Sequence, residues 1–380
     1  MSNRLSVAAA DRLYLDHAAT TPMLPEARAA MVEALARWAN PSSPHADGRA
    51  ARAELEDARS RIAAALDWPG HVIFTSGASE AIAIGLGRAK AGRIVTSPVE
   101  HDSVLRVTPG AERLEVDGEG ILFSLRHPRA GGDPSPALFP AAASEMDSRL
   151  RGNDGYKEKI LLAIQHVNNE TGVIQPLDAF PRDDAILFAD CAQSAGKLPL
   201  PDADMIAISA HKFGGPPGVG ALLLRDLALI EPSGGQEQGY RMGTENLPGI
   251  LAMAAALEAR SEWISTAADL RVRLDAAVEA VGGEVVARDA PRIPSIASYR
   301  MPGLSARAQL IQFDLAGISV SAGSACSSGS LKPSHVLSAM GWDEAAAGEV
   351  VRVSFGPQTG EADIDRFLSS WTAMAERARR

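Results

Sequence analysis

A single cysteine lies in a run of small residues near the carboxyl-terminal end of the chain, where its thiol could do chemistry. Cys326 is surrounded by serine, alanine and glycine in SAGSACSSGS, residues 321–330. These neighbours could not build a hydrophobic core, and the run has neither helical nor strand periodicity. The residue types alone therefore allow two interpretations: an inert loop thiol, or a nucleophile on a loop that glycine makes pliant.

A lysine directly after a predicted strand is the most informative position in the sequence. Lys212 lies in SAHKFGGPPGVG, residues 209–220, between the apolar run MIAIS and a glycine-proline turn. Most lysines lie on solvated faces, and an isolated His-Lys pair in such a loop is most simply a surface feature. The carboxyl end of a strand is, however, the edge where open α/β sheets bind ligands.

An aspartate at the end of the preceding predicted strand bears on the interpretation of Lys212. Asp190 ends the run AILFAD, a position where an acid usually caps the next helix. It could also hold the protonated pyridine nitrogen of pyridoxal phosphate (PLP). PLP enzymes need an acid on that nitrogen and a lysine that binds the cofactor covalently. Asp190 and Lys212 on neighbouring strand ends satisfy both needs.

The elements that would position these groups form an α/β pattern. Strand-length apolar runs occur at 71–76, 93–97, 159–167, 185–190, 205–209 and 219–224. Several are apolar throughout, which is typical of strands buried on both faces of a mostly parallel sheet. The last third instead has one or two helices at 249–283, short strands and an amphipathic closing helix.

This change of pattern predicts two domains. We expect a large α/β domain over 17–250 and a smaller α+β domain that comprises 1–16 and 251–380 and carries Cys326. Residues 126–155 are rich in proline, glycine and arginine and lack periodicity, which predicts an irregular insertion in the large domain.

Composition excludes several classes of function. The formal net charge of the 380 residues is −10, which argues against the basic face that binds nucleic acid. The chain has two cysteines and no Cys-x-x-Cys, which excludes a disulfide framework and disfavours a structural zinc site. No run is long enough for a membrane span, and no secretory signal is apparent. We therefore expect a cytoplasmic protein without a metal site that binds neither nucleic acid nor membrane.

Ten motifs in order make the sequence resemble one family. They are YLDHAATTP (14–22), NPSSPHADGR (40–49), IFTSGASEA (73–81), VTSPVEHDSV (95–104), HVNNETGVIQP (166–176), DCAQSAGKLP (190–199), SAHKFGGPPGVG (209–220), GGQEQGYRMGTEN (234–246), GSACSSGSLKPSHVL (323–337) and VRVSFG (351–356). Any one is weak evidence, but the ordered set resembles the NifS/IscS cysteine desulfurases of the class V aminotransferases. The resemblance implies the aspartate-aminotransferase-like fold of PLP fold type I.

The resemblance also implies roles around the cofactor. Lys212 matches the lysine that binds PLP covalently and then moves the α-proton of the substrate. Asp190 matches the partner of the pyridinium nitrogen, and His101 matches the histidine that stacks on the ring and can act as an acid–base group. Taken alone, His101 would be a loop or cap residue. The other positions that match cofactor contacts are Asn169, Gln193, Ala78, Ser79, Ser209, His211 and Thr244.

The remaining matches concern the substrate and the partners. Thr244 matches a threonine that reaches the phosphate of the neighbouring subunit, which implies a homodimer with shared sites. Arg352 matches the arginine that binds the substrate carboxylate, a task suited to its two-pronged hydrogen bonds, and Asn40 matches a position near the substrate. Cys326 matches the nucleophile that takes sulfur from L-cysteine as a persulfide and carries it to an acceptor such as an iron–sulfur scaffold.

Two departures and two rival hypotheses remain. Ala81-Ile82-Ala83 replaces a polar run of the family, and Gln238 stands where the family has arginine. A related PLP enzyme acting on another amino acid, such as selenocysteine or cysteine sulfinate, would keep most of its activity in Cys326→Ala. A non-catalytic sulfur carrier or assembly partner with the same fold would hold no covalently bound PLP.

Overall fold

The computed structural model describes residues 12–37, 39–122, 159–179, 185–259, 263–323 and 333–379. The predictions for Cys326 and for the insertion at 126–155 lie outside these ranges. The strands are β1 (Leu13–Tyr14), β2 (His71–Thr75), β3 (Arg93–Thr96), β4 (Glu112–Arg113), β5 (Ile160–Gln165), β6 (Ile186–Asp190), β7 (Met205–Ser209), β8 (Gly220–Leu224), β9 (Glu284–Val285), β10 (Ile296–Arg300), β11 (Ile318–Ser319) and β12 (Val350–Ser354). The helices are α1 (Pro25–Ala36), α2 (Ala46–Ala65), α3 (Ala78–Gly87), α4 (Asp102–Val107), α5 (Leu247–Glu258), α6 (Trp263–Ala280), α7 (Ala306–Leu315), α8 (His335–Ala339), α9 (Glu344–Ala347) and α10 (Glu361–Ala378).

A seven-stranded sheet in the order β2-β8-β7-β6-β5-β3-β4 forms the centre of the molecule. The pairings β3–β4, β3–β5, β5–β6 and β6–β7 are parallel, whereas β8 runs antiparallel to both β2 and β7. All six apolar runs predicted to be strands lie in this sheet, which confirms the mostly parallel α/β prediction. The continuous burial of β6, β7 and β8 reflects cover on both faces.

Helices cover the two faces of this sheet with separate apolar clusters. One cluster joins α1, α2 and α5 to strand residues such as Ile206 and Leu223. The other joins α3 to the opposite face, where Ile82 and Phe188 are fully buried. A Cβ atom on Gly85 of α3 would lie 2.5 Å from the Phe188 ring, so the close approach of this helix to β6 requires glycine.

A second core surrounds the antiparallel sheet β12-β10-β9. Helix α10 buries its predicted apolar face there, and the Phe313 and Phe367 rings stack with centroids 5.0 Å apart. Leu13 and Leu15 join this core from the start of the described chain, where β1 pairs with β11.

The helical stretch predicted at 249–283 consists of two helices, α5 and α6. Helix α5 packs on α1 and α2, so the predicted domain boundary at residue 250 falls inside a helix of the first core. The division itself stays a prediction. Among the described helices none is both long and apolar enough to cross a membrane.

Candidate active site

A cavity of about 370 Å³ lies at the carboxyl edge of the large sheet. Loops that follow five strands (β2, β3, β5, β6 and β7) converge on it, because the carboxyl ends of parallel strands meet at one edge. Nine residues predicted to form the cofactor site line this cavity: Ala78, Ser79, His101, Asn169, Asp190, Gln193, Ser209, His211 and Lys212.

Lys212 follows β7 in a short 3-10 turn that directs its side chain toward the amino-terminal segment. Its Nζ donates hydrogen bonds to the main-chain oxygens of Ala18 at 2.6 Å and Ala19 at 3.0 Å. Burial, together with the positive charge of Arg352, lowers the pKa of Lys212 to about 8. An amine that loses its proton near neutral pH can act as a nucleophile and as a proton carrier.

Asp190 is the last residue of β6 and is only 6% exposed. Its Oδ1 accepts a hydrogen bond from the main-chain N–H of Ala192 at 2.9 Å. Burial raises the pKa of Asp190, an effect that the charges of His101 and Lys212 oppose. A buried carboxylate of this kind is stabilised by a cationic partner, such as a protonated pyridine nitrogen.

The imidazole of His101 caps the amino terminus of α4. Its Nδ1 accepts from the main-chain N–H of Ser103 at 3.2 Å and lies 2.7 Å from the Ser103 hydroxyl. An acceptor nitrogen carries no proton, so the neutral ring has its proton on Nε2. Burial lowers the pKa of His101, which favours this neutral form, a flat ring able to stack on a cofactor and to donate from Nε2.

The amino terminus of α3 forms another wall of the cavity. Gly77 precedes the helix with φ +147°, and no side chain caps α3. The first N–H groups of a helix have no intrahelical acceptor and suit an anion. This φ lies in the region that favours glycine, and the Ser209 hydroxyl lies beside Gly77.

Three predicted residues do not line the cavity. Arg352, on β12, reaches it indirectly, since its Nη1 donates to the main-chain oxygen of Asn169 at 2.9 Å. The exposed Asn40 lies near the glycine-rich segment 233–246, because the neighbouring Ser42 donates to Gln236 at 3.1 Å. Thr244 is exposed on that same segment. A single chain therefore does not bring these two residues to the cavity.

Other residues of the site were not predicted from the sequence. Gln165 ends β5 beside Asp190 and lines the cavity, and its Nε2 donates to the main-chain oxygen of Val99 at 2.7 Å. Its place at the end of a buried apolar run was a usable signal. The main-chain oxygens of Ala18 and Ala19 gave no signal, since any residue supplies them. Cys191, predicted to be a small core residue, is fully buried, and burial raises the pKa of its thiol.

A larger cavity of about 790 Å³ lies elsewhere, between Trp68, Lys197 and Arg225. It contains neither the strand-end acid nor the histidine that accompany Lys212, so size does not identify the site. Within the described ranges no group of three or more acidic, histidine or cysteine side chains could hold a metal ion.

Comparisons with known proteins find relatives over nearly the whole chain. The family model for aminotransferase class-V matches residues 13–116 and 154–367. An "IscS-like cysteine desulfurase" of Mycobacterium tuberculosis is 36% identical, with 97% of each chain covered. The structure of a NifS-like protein from Rickettsia africae has a TM-score of 0.80 and 27% identity, over 96% of this chain and 99% of that one. A structure described as SspA in complex with cysteine has a TM-score of 0.72 and 26% identity, over 92% of this chain and 100% of that one.

Proposed function

Since this chain belongs to the aminotransferase class-V family, and within it to the cysteine desulfurases of the NifS/IscS type, we propose that it converts L-cysteine to L-alanine with PLP and transfers the sulfur to Cys326 as a persulfide. The observation that carries the proposal is the convergence of Lys212, Asp190 and His101 in one cavity. The relative described in complex with cysteine supports the choice of substrate.

The donor and acceptor groups of the cavity fit PLP. Asp190 offers a buried carboxylate to the pyridine nitrogen, and the α3 amino terminus with Ser209 and His211 offers donors to the phosphate. Gln193 Oε1 is buried without a partner among the described residues, as a group reserved for a ligand would be. When bound, PLP supplies an electron sink that weakens bonds next to the substrate amine.

The chain's own groups then have distinct tasks. Lys212 Nζ holds the cofactor covalently and, once released, moves a proton. The neutral His101 ring supplies a proton from Nε2, and Arg352 binds the substrate carboxylate. The Cys326 thiolate attacks the substrate sulfur, so that an S–S bond forms and the C–S bond breaks; the remaining amino acid takes up a proton and leaves as alanine.

A homodimer with a shared phosphate site forms part of the proposal. In the glycine-rich segment, the Glu245 side chain is fully buried, and neither carboxylate oxygen accepts a hydrogen bond from the described residues. The nearest cationic atom in an ion pair, Arg52 Nη1, is 3.8 Å away. Thr244 next to it is exposed. The buried Glu245 is closed to a second copy, but the exposed Thr244 and Met242 are open to one, and Thr244 would then reach the neighbour's phosphate.

The compartment and the acceptor complete the proposal. A reducing compartment keeps the Cys326 thiol free to attack instead of oxidised to a disulfide, so we assign the protein to the cytoplasm. A sulfur-acceptor protein, such as an iron–sulfur scaffold, would then take the persulfide sulfur.

The test is a single incubation of the purified, PLP-loaded protein with L-cysteine. We expect alanine in solution and a mass increase of one sulfur atom on the peptide that contains Cys326. The matched variant Cys326→Ala should release no alanine over many turnovers while retaining bound PLP. Sustained activity of that variant, or turnover of selenocysteine or cysteine sulfinate in place of cysteine, would support the related PLP enzyme instead.

A further inference from the structure

Arg352 is held by groups from two distant parts of the chain. Its Nη2 donates to Asp16 Oδ1 at 2.8 Å, and its Nη1 donates to the main-chain oxygen of Asn169 at 2.9 Å. The arginine is 5% exposed, and its Nε has no partner among the described residues. Two nitrogens of the guanidinium are therefore engaged by protein, and the third, the buried Nε, is left without an acceptor among the described residues.

Asp16 is itself fixed by the antiparallel sheet β12-β10-β9. It forms an isolated parallel bridge with Ser354, the last residue of β12, and the main-chain N–H of Ser354 donates to Leu15 oxygen at 2.8 Å. Two residues further on, the N–H of Ala18 donates to the Ser354 hydroxyl at 2.9 Å. The segment thus holds Arg352 through Asp16, and it holds Lys212 through the oxygens of Ala18 and Ala19.

We propose that Asp16 is a positioning residue for substrate selection: it fixes the Arg352 guanidinium so that the unpartnered Nε edge is kept for the α-carboxylate of the amino acid. This inference rests on the proposed function. Asp16 matches no role that the family resemblance supplied, and it acts through Arg352 rather than on the reacting atoms.

Fixed acceptors limit the conformational freedom of a long cationic side chain such as that of Arg352. A guanidinium has five N–H donors in a rigid plane, so two fixed acceptors define the direction of the remaining donors. A hydrogen bond between two charged groups is among the strongest in a protein. Without Asp16, the buried guanidinium would have one fixed acceptor, Asn169 oxygen, and would rotate about it.

The opposite role is physically conceivable and gives the opposite result. If Asp16 merely occupied the place of the substrate carboxylate, its removal would free Arg352 and tighten substrate binding. We expect instead that Asp16→Ala raises the KM for L-cysteine about tenfold or more and changes kcat less than about threefold, as expected for loss of one charge-assisted hydrogen bond to a binding group. The KM of Asp16→Asn, which keeps an acceptor oxygen, should lie between those of the wild type and of Asp16→Ala.

A second readout separates positioning from a general structural effect. The absorbance change of the PLP-loaded protein reports binding of L-cysteine and of 2-aminoethanethiol, which has the same amine and thiol but no carboxylate. Asp16→Ala should weaken the binding of L-cysteine and should change the affinity for 2-aminoethanethiol less than about twofold. The control Asp314→Ala, which removes an exposed aspartate paired with Arg12, should change neither.

Three outcomes would overturn the inference: an unchanged KM in Asp16→Ala, a lowered KM, or equal weakening for both ligands. A wild-type protein that binds L-cysteine but forms no alanine would contradict the proposed function instead. The binding titration would then still test Asp16.

Discussion

The strand-end cavity and the glycine-rich segment 233–246 both carry predicted site residues. A single chain provides hydrogen-bond partners more fully in the cavity than in the segment. In the cavity, Lys212, Asp190 and His101 each have defined hydrogen-bond partners. In the glycine-rich segment, the Glu245 carboxylate has no hydrogen-bond partner in the described part of the chain, and Met242 is 66% exposed. The first region is built by a sheet within the chain, whereas the second has residues that lie open to solvent, Met242 and Thr244 among them.

The same segment is firmly anchored at its other end. Glu237 is buried and accepts from Arg59 Nη1 at 2.8 Å and from Arg59 Nη2 at 3.1 Å. It also accepts from the main-chain N–H of Phe74 at 2.8 Å, and the Arg59 guanidinium lies 4.6 Å from the Phe74 ring centroid. Anchoring at Glu237 therefore fixes one end of the segment, while Thr244 near its other end stays exposed.

The largest effect is expected in the region that the single chain completes. Lys212→Ala removes both the covalent link to PLP and the proton carrier, so alanine release from L-cysteine should fall by at least about 10³-fold. The absorbance band of covalently bound PLP should be lost with it. Lys90→Ala, which changes a lysine paired with Glu231 away from the cavity, should leave both measurements unchanged. Substantial activity in Lys212→Ala would show that this cavity is not the site.

The anchor of the glycine-rich segment is expected to matter for stability. Arg59→Ala leaves Glu237 buried without its cation, and breaking such a pair costs about 3 kcal/mol or more in the free energy of unfolding. Urea unfolding followed by circular dichroism measures this loss. Arg61→Ala, two residues along α2, removes a partly exposed pair with Glu258 and should cost less than about 1 kcal/mol. Equal losses in the two variants would contradict the anchoring role.

The contrast between the regions also explains what the sequence could and could not predict. Asp190 and Lys212 were identifiable because buried strands deliver their terminal residues to a common edge, and the period of the pattern marks where each strand ends. The fold followed from the same apolar runs. The holding of Lys212 by the Ala18 and Ala19 oxygens was not predictable, since main-chain contacts leave no trace in residue type. The role proposed for Thr244 would depend on a second chain, which no periodicity within one chain describes.

The proposed role of the glycine-rich segment can be tested by mixing two impaired variants. Thr244→Ala should lower activity about tenfold, because one hydrogen bond to the phosphate is lost. If Thr244 acts on the neighbouring subunit, dimers that combine Thr244→Ala and Lys212→Ala chains contain one intact site. Random exchange of equal amounts should then restore about a quarter of the wild-type activity per chain. If mixing restores no activity beyond that of the separate variants, Thr244 does not act across a dimer.

The smallest expected effect concerns Glu100, a buried acid that precedes the cavity residue His101 in the sequence. Glu100 is fully buried immediately before His101; the Ser97 hydroxyl donates to its Oε1 at 2.6 Å, and its Oε2 has no partner among the described residues. Burial, with a further contribution from the Asp190 charge, raises the pKa of Glu100 from 4.5 to about 8. The folded protein therefore keeps a proton that the unfolded chain releases above pH 4.5. Stability is consequently lost as the pH rises from about 4.5 to 8, and the loss levels off above that.

Glu100→Gln replaces the neutral acid by a neutral amide of similar shape and removes this pH-dependent cost. Below pH 4.5 the stabilities of the variant and of the wild type should change with pH in nearly the same way. Between pH 5 and 8 the free energy of unfolding of the variant should rise relative to that of the wild type, until the difference reaches about 1 to 2 kcal/mol. This is less than the pKa shift of Glu100 alone implies, because local relaxation and water reduce the cost of burial. Thermal unfolding at a series of pH values measures the difference. Parallel stability curves across this window would show that Glu100 is ionised in the folded protein, which would place one more negative charge near Asp190.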